Sequence, residues 1–120
     1  PFNYTLIVAK GGESVEKAVD IPETFNYLLG LHVATRKVYD DGGRRYLVFR
    51  GRIDHWQVAV IWRDTHGWEK KDLERDKQFV VERKLTEGAD KVFVNGDSFI
   101  PNARALEPVF KARMFAPVEA

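Results

Sequence analysis

Three residues near the middle of the chain are of the types that metal-dependent nucleases use. Asp64 follows an apolar run, and Glu69 and Lys71 come shortly after it. Carboxylate oxygens bind divalent cations, and the cation then positions and activates a water for phosphodiester hydrolysis. That chemistry requires the glutamate and the lysine on the strand next to the aspartate, whereas the local pattern predicts that Glu69 begins a helix. A metal-dependent nuclease-like domain is therefore kept as the alternative function.

Other residues that commonly carry covalent or metal chemistry are few and isolated. The three histidines, His32, His55 and His66, lack the close spacing of a helical metal pair. Cysteine is absent, which excludes disulfides and thiolate ligands and suits a reducing cytoplasm. The sequence contains no glycine-rich phosphate loop and no nucleophile elbow. It therefore predicts no catalytic, cofactor-binding or metal-binding residue in this chain.

Basic side chains crowd into two neighbouring predicted strands and the turn between them. On one face of a sheet they could contact DNA phosphates while nearby tyrosines stack on bases. The competing interpretation places them on solvated strand faces and edges, where they hinder edge-to-edge pairing. A net charge of only +1 and the interleaved acidic residues favour that second interpretation. The candidates for DNA contact are Arg36, Lys37, Arg44, Arg45, Arg50 and Arg52.

Hydrophobic periodicity and turn residues predict the elements that carry these side chains. The apolar run 58–62 predicts a central strand that other elements cover on both faces. We predict a hairpin of 3–10 and 14–19 that turns at Gly11 and Gly12, a helix over 21–29 ended by Gly30, strands at 32–39, 45–52 and 56–63, a helix over 68–86 ended by Gly88, a strand at 91–94, a turn at 95–97 and a final helix from about Glu107.

Composition sets the class of the protein. The chain has 120 residues, 44% hydrophobic and 31% charged, which is typical of one folded, water-soluble domain. The longest apolar run is far shorter than the ~20 residues needed to cross a bilayer, so we expect no membrane partner. The order of elements predicts a single α+β or α/β domain with a mixed, largely antiparallel sheet and flanking helices.

Five segments together resemble a known family. They are residues 23–31 (ETFNYLLGL), 44–48 (RRYLV), 60–63 (VIWR), 94–101 (VNGDSFIP) and 106–111 (LEPVFK). In this order and spacing the chain resembles the C-terminal region of bacterial site-specific DNA methyltransferases of the adenine-N6 kind, including the modification subunits of type III restriction-modification systems. The resemblance implies that the chain, which starts at Pro1, is a fragment of such an enzyme.

The resemblance also implies which parts of the enzyme are missing. Enzymes of this family use S-adenosylmethionine, held by an F-x-G-x-G-type loop, and grip a flipped adenine with a D-P-P-Y-type motif. This sequence contains neither motif, so the cofactor would bind elsewhere in the parent protein.

The implied function is a noncatalytic accessory domain for packing, subunit assembly or DNA contact; a small independent nucleic-acid-binding module is a further alternative. Implied partners are the catalytic domain of the same chain, a restriction subunit, a second copy and DNA. The candidates for packing or interface contacts are Trp62, Phe99 and Phe110.

Overall fold

The computed structural model describes the backbone of residues 3–10 and 13–114 and the side chains of residues 21–113. The predicted turn at Gly11 and Gly12 lies outside the described residues. The elements, in chain order, are β1 (Asn3–Lys10), β2 (Glu13–Asp20), α1 (Ile21–Leu29), β3 (His32–Asp41), β4 (Arg44–Ile53), β5 (Trp56–Arg63), α2 (Lys70–Glu82), β6 (Lys91–Val94), β7 (Ala103–Ala105) and α3 (Leu106–Met114).

The strands form two sheets. Strands β1 and β2 pair as an antiparallel hairpin, while the other five form one sheet in the order β3-β4-β5-β6-β7. The pairs β3-β4 and β4-β5 are antiparallel, and β5-β6 and β6-β7 are parallel. The predicted fold class, a mixed sheet with flanking helices, is confirmed. Of the helices in the described residues, none is long and apolar enough to span a bilayer.

Each face of the five-stranded sheet has its own apolar core. On the side that we call the α1 side, side chains of α1 and α3 pack on Leu47, Phe49 and Trp62. On the opposite α2 side, side chains of α2 pack on Tyr46, Val48 and Ile61. Successive strand residues point to opposite faces, so each strand contributes to both cores. Residues 58–63 of β5 are all buried, which confirms the prediction of a central strand covered on both faces.

Helix α2 is shorter than predicted at both ends. It spans Lys70–Glu82 instead of 68–86. At its N-terminus Asp72 Oδ2 accepts the Glu69 N–H at 2.9 Å and so caps the first turn. At its C-terminus Lys84 takes a positive φ of 54°. The Lys84 and Leu85 N–H groups donate to Val81 and Val80 oxygens, both at 3.1 Å. This is a Schellman arrangement, in which a lysine occupies the left-handed position that glycine usually takes.

Strand β7 is the element that the sequence pattern does not predict. It contains three residues, Ala103–Ala105, and pairs in parallel with β6. The remaining predictions agree with the structure within a few residues. Helix α1 has the predicted bounds and is followed by Gly30 at φ 75°, and the final helix spans Leu106–Met114.

Candidate nucleic-acid interface

The sheet divides the six basic residues predicted for DNA contact between its two faces. Directly opposed residues of an antiparallel pair share a face. Arg36 pairs with Phe49, and Arg45 lies one residue before Tyr46, so both belong to the α1 side. Lys37 pairs with Val48 and belongs to the α2 side. By alternation along β4, that side also carries Arg44, Arg50 and Arg52. No single face therefore presents all six.

Three of these six cations have partners within the fold. Arg44 Nη2 lies 2.6 Å from Asp72 Oδ1, in a half-buried ion pair that ties β4 to α2. Arg50 donates to the Leu85 and Glu87 carbonyl oxygens at 3.2 and 2.8 Å. Arg36 Nε lies 4.0 Å from Glu23 Oε1, with both side chains about half exposed. The side chains of Lys37, Arg45 and Arg52 are exposed.

A cleft on the α2 side collects cations from distant parts of the chain. Its volume is about 180 Å³, and it lies between β3, β4 and the residues that follow α2. We call it the basic cleft, because four of its lining residues are Lys or Arg and none is Asp or Glu. The lining residues are Thr35, Lys37, Tyr39, Val48, Arg50, Arg83, Lys84 and Leu85.

Local geometry holds two of these cations in position. The Arg83 guanidinium lies over the rings of Tyr39 and Phe79, with its Cζ 5.5 and 5.4 Å from the centroids. The Arg50 guanidinium is held by the two carbonyl oxygens that follow the helix. The carbonyl end of a helix carries a partial negative charge, which favours cations at this place. Within residues 21–113, none of the four cations lies within 4.0 Å of a carboxylate oxygen.

A second groove lies at the other end of β4. It has a volume of about 400 Å³ and is lined by Gly43, Arg44, Arg45, Asp64, His66 and Trp68. The Trp68 ring is half-buried and lies over the Arg63 guanidinium, whose Cζ is 5.5 Å from the ring centroid. The groove joins two predicted cations to a histidine and a tryptophan, but Asp64 adds negative charge. Its electrostatic preference for a polyanion is therefore weaker than that of the basic cleft.

A buried polar network connects β4, β5 and α2. Arg63 and Asp76 are fully buried, and Arg63 Nη1 lies 2.5 Å from Asp76 Oδ2. Tyr46 donates its hydroxyl to Asp76 Oδ1 at 2.8 Å, and Arg63 Nη2 donates to the Asn95 and Asp97 carbonyl oxygens. Burial raises the pKa of Asp76, and Arg63 opposes that rise by stabilising the carboxylate. Burial and the Asp76 charge raise the pKa of Tyr46, so its hydroxyl stays protonated and donates.

The residues weighed for nuclease chemistry lie on a loop and a helix. Asp64 is exposed directly after β5, and Glu69 is the N-cap of α2, as the sequence predicted for a helix start. Lys71 is in the first turn of that helix. The strand arrangement that the nuclease chemistry needs is therefore not formed by these three residues. Across the described part of the chain, no group of three or more Asp, Glu or His residues could hold a metal ion.

The three predicted packing residues differ in exposure. Trp62 is 2% exposed and meets the Phe25 ring edge-on at 6.1 Å, so it belongs to the core. Phe110 is half-buried and stacks on Phe25 with the centroids 5.7 Å apart. Phe99 is 40% exposed, which makes it the member of this set whose ring faces solvent.

Sequence reasoning missed half of the cations in the basic cleft. The sequence pattern predicts Arg83 and Lys84 within a helix that runs to residue 86, although two successive basic residues after an apolar stripe are typical of a helix C-terminus. Arg63 and Asp76 gave no sequence signal as a buried pair, because they are 13 residues apart on different elements.

Comparisons of the chain with protein-family models, with curated proteins and with solved structures found no match. The relation to adenine-N6 DNA methyltransferases therefore remains a resemblance carried by the five segments quoted above.

Proposed function

We propose that this chain is a noncatalytic accessory domain of a site-specific DNA methyltransferase, acting in the cytoplasm, that contacts DNA phosphates through the basic cleft. S-adenosylmethionine would bind to the catalytic domain of the parent protein, because no residue of this chain fits the family's cofactor loop. The single observation that supports the DNA contact is the convergence of Lys37, Arg50, Arg83 and Lys84 on one cleft without an acidic lining residue.

The chemistry of the cleft suits a phosphodiester. Phosphate oxygens in protein–DNA complexes accept hydrogen bonds from Arg, Lys, Thr and Tyr side chains, and all four types line the cleft. The cleft has a volume of about 180 Å³, which leaves room for one phosphate group. Phosphate contacts carry no sequence information, so the domain would position the parent enzyme on DNA and not read its recognition sequence.

A salt-dependence experiment tests this proposal. Binding of a labelled DNA duplex is measured over a range of salt concentrations for the wild type and for the Lys37→Ala/Lys84→Ala double variant. Each lysine that contacts a phosphate contributes about 1 to the slope of log K against log salt, so the double variant should lower that slope by about 2. Arg50 and Arg83 are left intact because both also hold the fold together.

The matched control is Lys77→Ala on the outer side of α2. Lys77 is exposed and does not line the basic cleft, so its removal should leave the slope unchanged. Two duplexes of unrelated sequence should bind the wild type equally. Absence of DNA binding at low salt would overturn the proposal. So would a fall in the salt slope of Lys77→Ala as large as that of the double variant.

A further inference from the structure

Strand β3 forms an edge of the five-stranded sheet and is exposed along its length. In the described residues it pairs only with β4. Residues 32–38 and residue 40 are exposed, and Val38 retains 50% of its accessible surface. A bulge interrupts the pairing between Val33 and Thr35, so the regular part of the strand is 35–41. A long, regular strand edge offers unpaired N–H and C=O groups to another strand.

The turn after β3 determines which residues offer those groups. Gly42 and Gly43 have φ values of 58° and 91°, as a two-residue type I′ hairpin requires. Asp41 and Arg44 flank this turn and therefore form a hydrogen-bonded pair. Hydrogen-bonded and non-hydrogen-bonded pairs alternate along an antiparallel ladder. The residues whose N–H and C=O groups point away from β4 are therefore Arg36, Val38 and Asp40.

We propose that two copies of the chain associate by antiparallel pairing of their β3 strands, with Val38 on the two-fold axis. In this register Val38 lies opposite the partner's Val38, and Arg36 lies opposite the partner's Asp40. All three outward-facing residues then form hydrogen-bonded pairs, and two oppositely charged pairs flank a contact between exposed valines. The proposal goes beyond DNA contact, because none of these residues lines the basic cleft.

Charge selects this register among those that the backbone allows. Moving the axis to Arg36, Lys37 or Asp40 places that residue opposite its own copy, so like charges oppose each other. With the axis at Tyr39, only two hydrogen-bonded pairs form between outward-facing residues of the two copies. In each of them the Asp40 carboxylate lies opposite the partner's Val38. The register centred on Val38 has no directly opposed like charges. Its nearest like charges are the two Lys37 side chains, on a diagonal of roughly 7–8 Å between Cα atoms.

The two charged groups are accessible for this pairing. The Arg36 side chain is 55% exposed, and its contact with Glu23 is long, at 4.0 Å. Asp40 is exposed, and its Oδ1 accepts the Gly43 N–H at 2.9 Å. Both residues lie on the α1 side, so the opposed charges meet on one face of the continuous ten-stranded sheet that the two copies would form.

Sedimentation of the full chain over a range of concentrations tests the proposal. The wild type should be in a reversible monomer–dimer equilibrium. Arg36→Asp places an aspartate opposite Asp40 in two symmetric pairs, so it should weaken the dimer by about tenfold. Asp40→Arg should do the same, and the double variant Arg36→Asp/Asp40→Arg, which exchanges the charges, should recover the wild-type dissociation constant within about threefold.

Two further variants make the result decisive. Arg36→Gln removes the attraction without adding repulsion, so it should weaken the dimer less than Arg36→Asp; this comparison remains if Asp40→Arg disturbs the turn. Lys37→Ala should leave the dimer intact, whereas in the register centred on Tyr39 it would lose a contact with the partner's Asp41. Circular dichroism verifies that each variant folds. A wild type that is monomeric at high concentration, or a dimer indifferent to the charge exchange, would overturn the proposal.

Discussion

Arg63 is an arginine without solvent contact at the centre of the fold. It contacts Asp76 from α2 and the carbonyl oxygens of Asn95 and Asp97 after β6, so one side chain joins three parts of the chain. Asn95 completes the arrangement, because its side chain accepts the Arg63 N–H at 2.8 Å and donates to the Arg63 oxygen at 2.7 Å. Removing one partner of a buried ion pair leaves an uncompensated charge, which costs more than the pair itself contributes.

Two substitutions in this network should therefore lower the free energy of unfolding by different amounts. Asp76→Ala leaves Arg63 buried and unpaired, so we expect the free energy of unfolding to fall by about 3–5 kcal/mol. Tyr46→Phe removes one hydrogen bond to Asp76 while the ion pair remains, so we expect a loss of about 1–2 kcal/mol. Urea denaturation of both variants measures the difference. Equal losses would show that the buried pair is not the source of the cost.

At the scale of elements, the ends of α2 serve both stability and the candidate interface. Its first turn is held by Asp72, which accepts the Glu69 N–H and pairs with Arg44. Its last turn ends in the Schellman arrangement, which places Arg83 and Lys84 beside β3. The residues that follow α2 thus form one wall of the basic cleft, and the length of the helix determines where that wall stands.

The pKa of Asp72 makes the first turn sensitive to acid. The Glu69 backbone N–H, and then Arg44, lower this pKa below the ordinary value of 3.8. The pKa of Asp72 is lower in the folded state than in the unfolded state. The Asp72 charge therefore stabilises the fold fully at pH values above the unfolded pKa, and this stabilisation is lost as the pH falls through the folded pKa. Asp72→Asn should therefore lower Tm at pH 7, and the gap to the wild type should narrow steadily below pH 3.8.

Calorimetry at several pH values measures that gap. Glu74→Gln is the matched control, because Glu74 is an exposed carboxylate on the same helix and should leave Tm unchanged at each pH. A gap for Asp72→Asn that stays constant down to the lowest pH would contradict the role assigned to the Asp72 charge.

At the scale of the whole molecule, the proposed dimer would bring two basic clefts together. Lys37 would lie opposite the partner's Tyr39 on the α2 side, so both clefts would face the same way next to the two-fold axis. A duplex bound to both clefts would stabilise the dimer, and dimer formation would strengthen DNA binding by the same factor.

Arg36→Asp separates these two effects, because it changes the strand edge and leaves the cleft intact. At protein concentrations where the wild type is dimeric, we expect the variant to bind a duplex about tenfold or more weakly, through loss of the second contact. At concentrations where both proteins are monomeric, their affinities should agree. DNA titrations at two protein concentrations provide the measurement. DNA that dissociates the wild-type dimer would contradict this coupling.

Local sequence patterns are enough to predict most elements of this fold, because helix and strand formation depend on patterns within about ten residues. The apolar run 58–62 predicts the central strand, and the turn between the strands at 32–39 and 45–52 predicts a hairpin; both are confirmed. Strand β7 is not predicted, because three residues are too few to show the hydrophobic alternation of a strand. Its pairing with β6 depends on the surrounding packing.

Which charged residues lie next to each other depends on the packing of the whole chain. Lys37 and Arg83 are far apart along the chain, and the sheet divides Arg36 from Lys37 although they are adjacent. Strand alternation sends neighbours to opposite faces, and strand pairing with helix packing brings distant residues to one cleft. The six basic residues predicted for DNA contact therefore do not form one surface. Two of them, Lys37 and Arg50, instead line a cleft with Arg83 and Lys84, which follow α2.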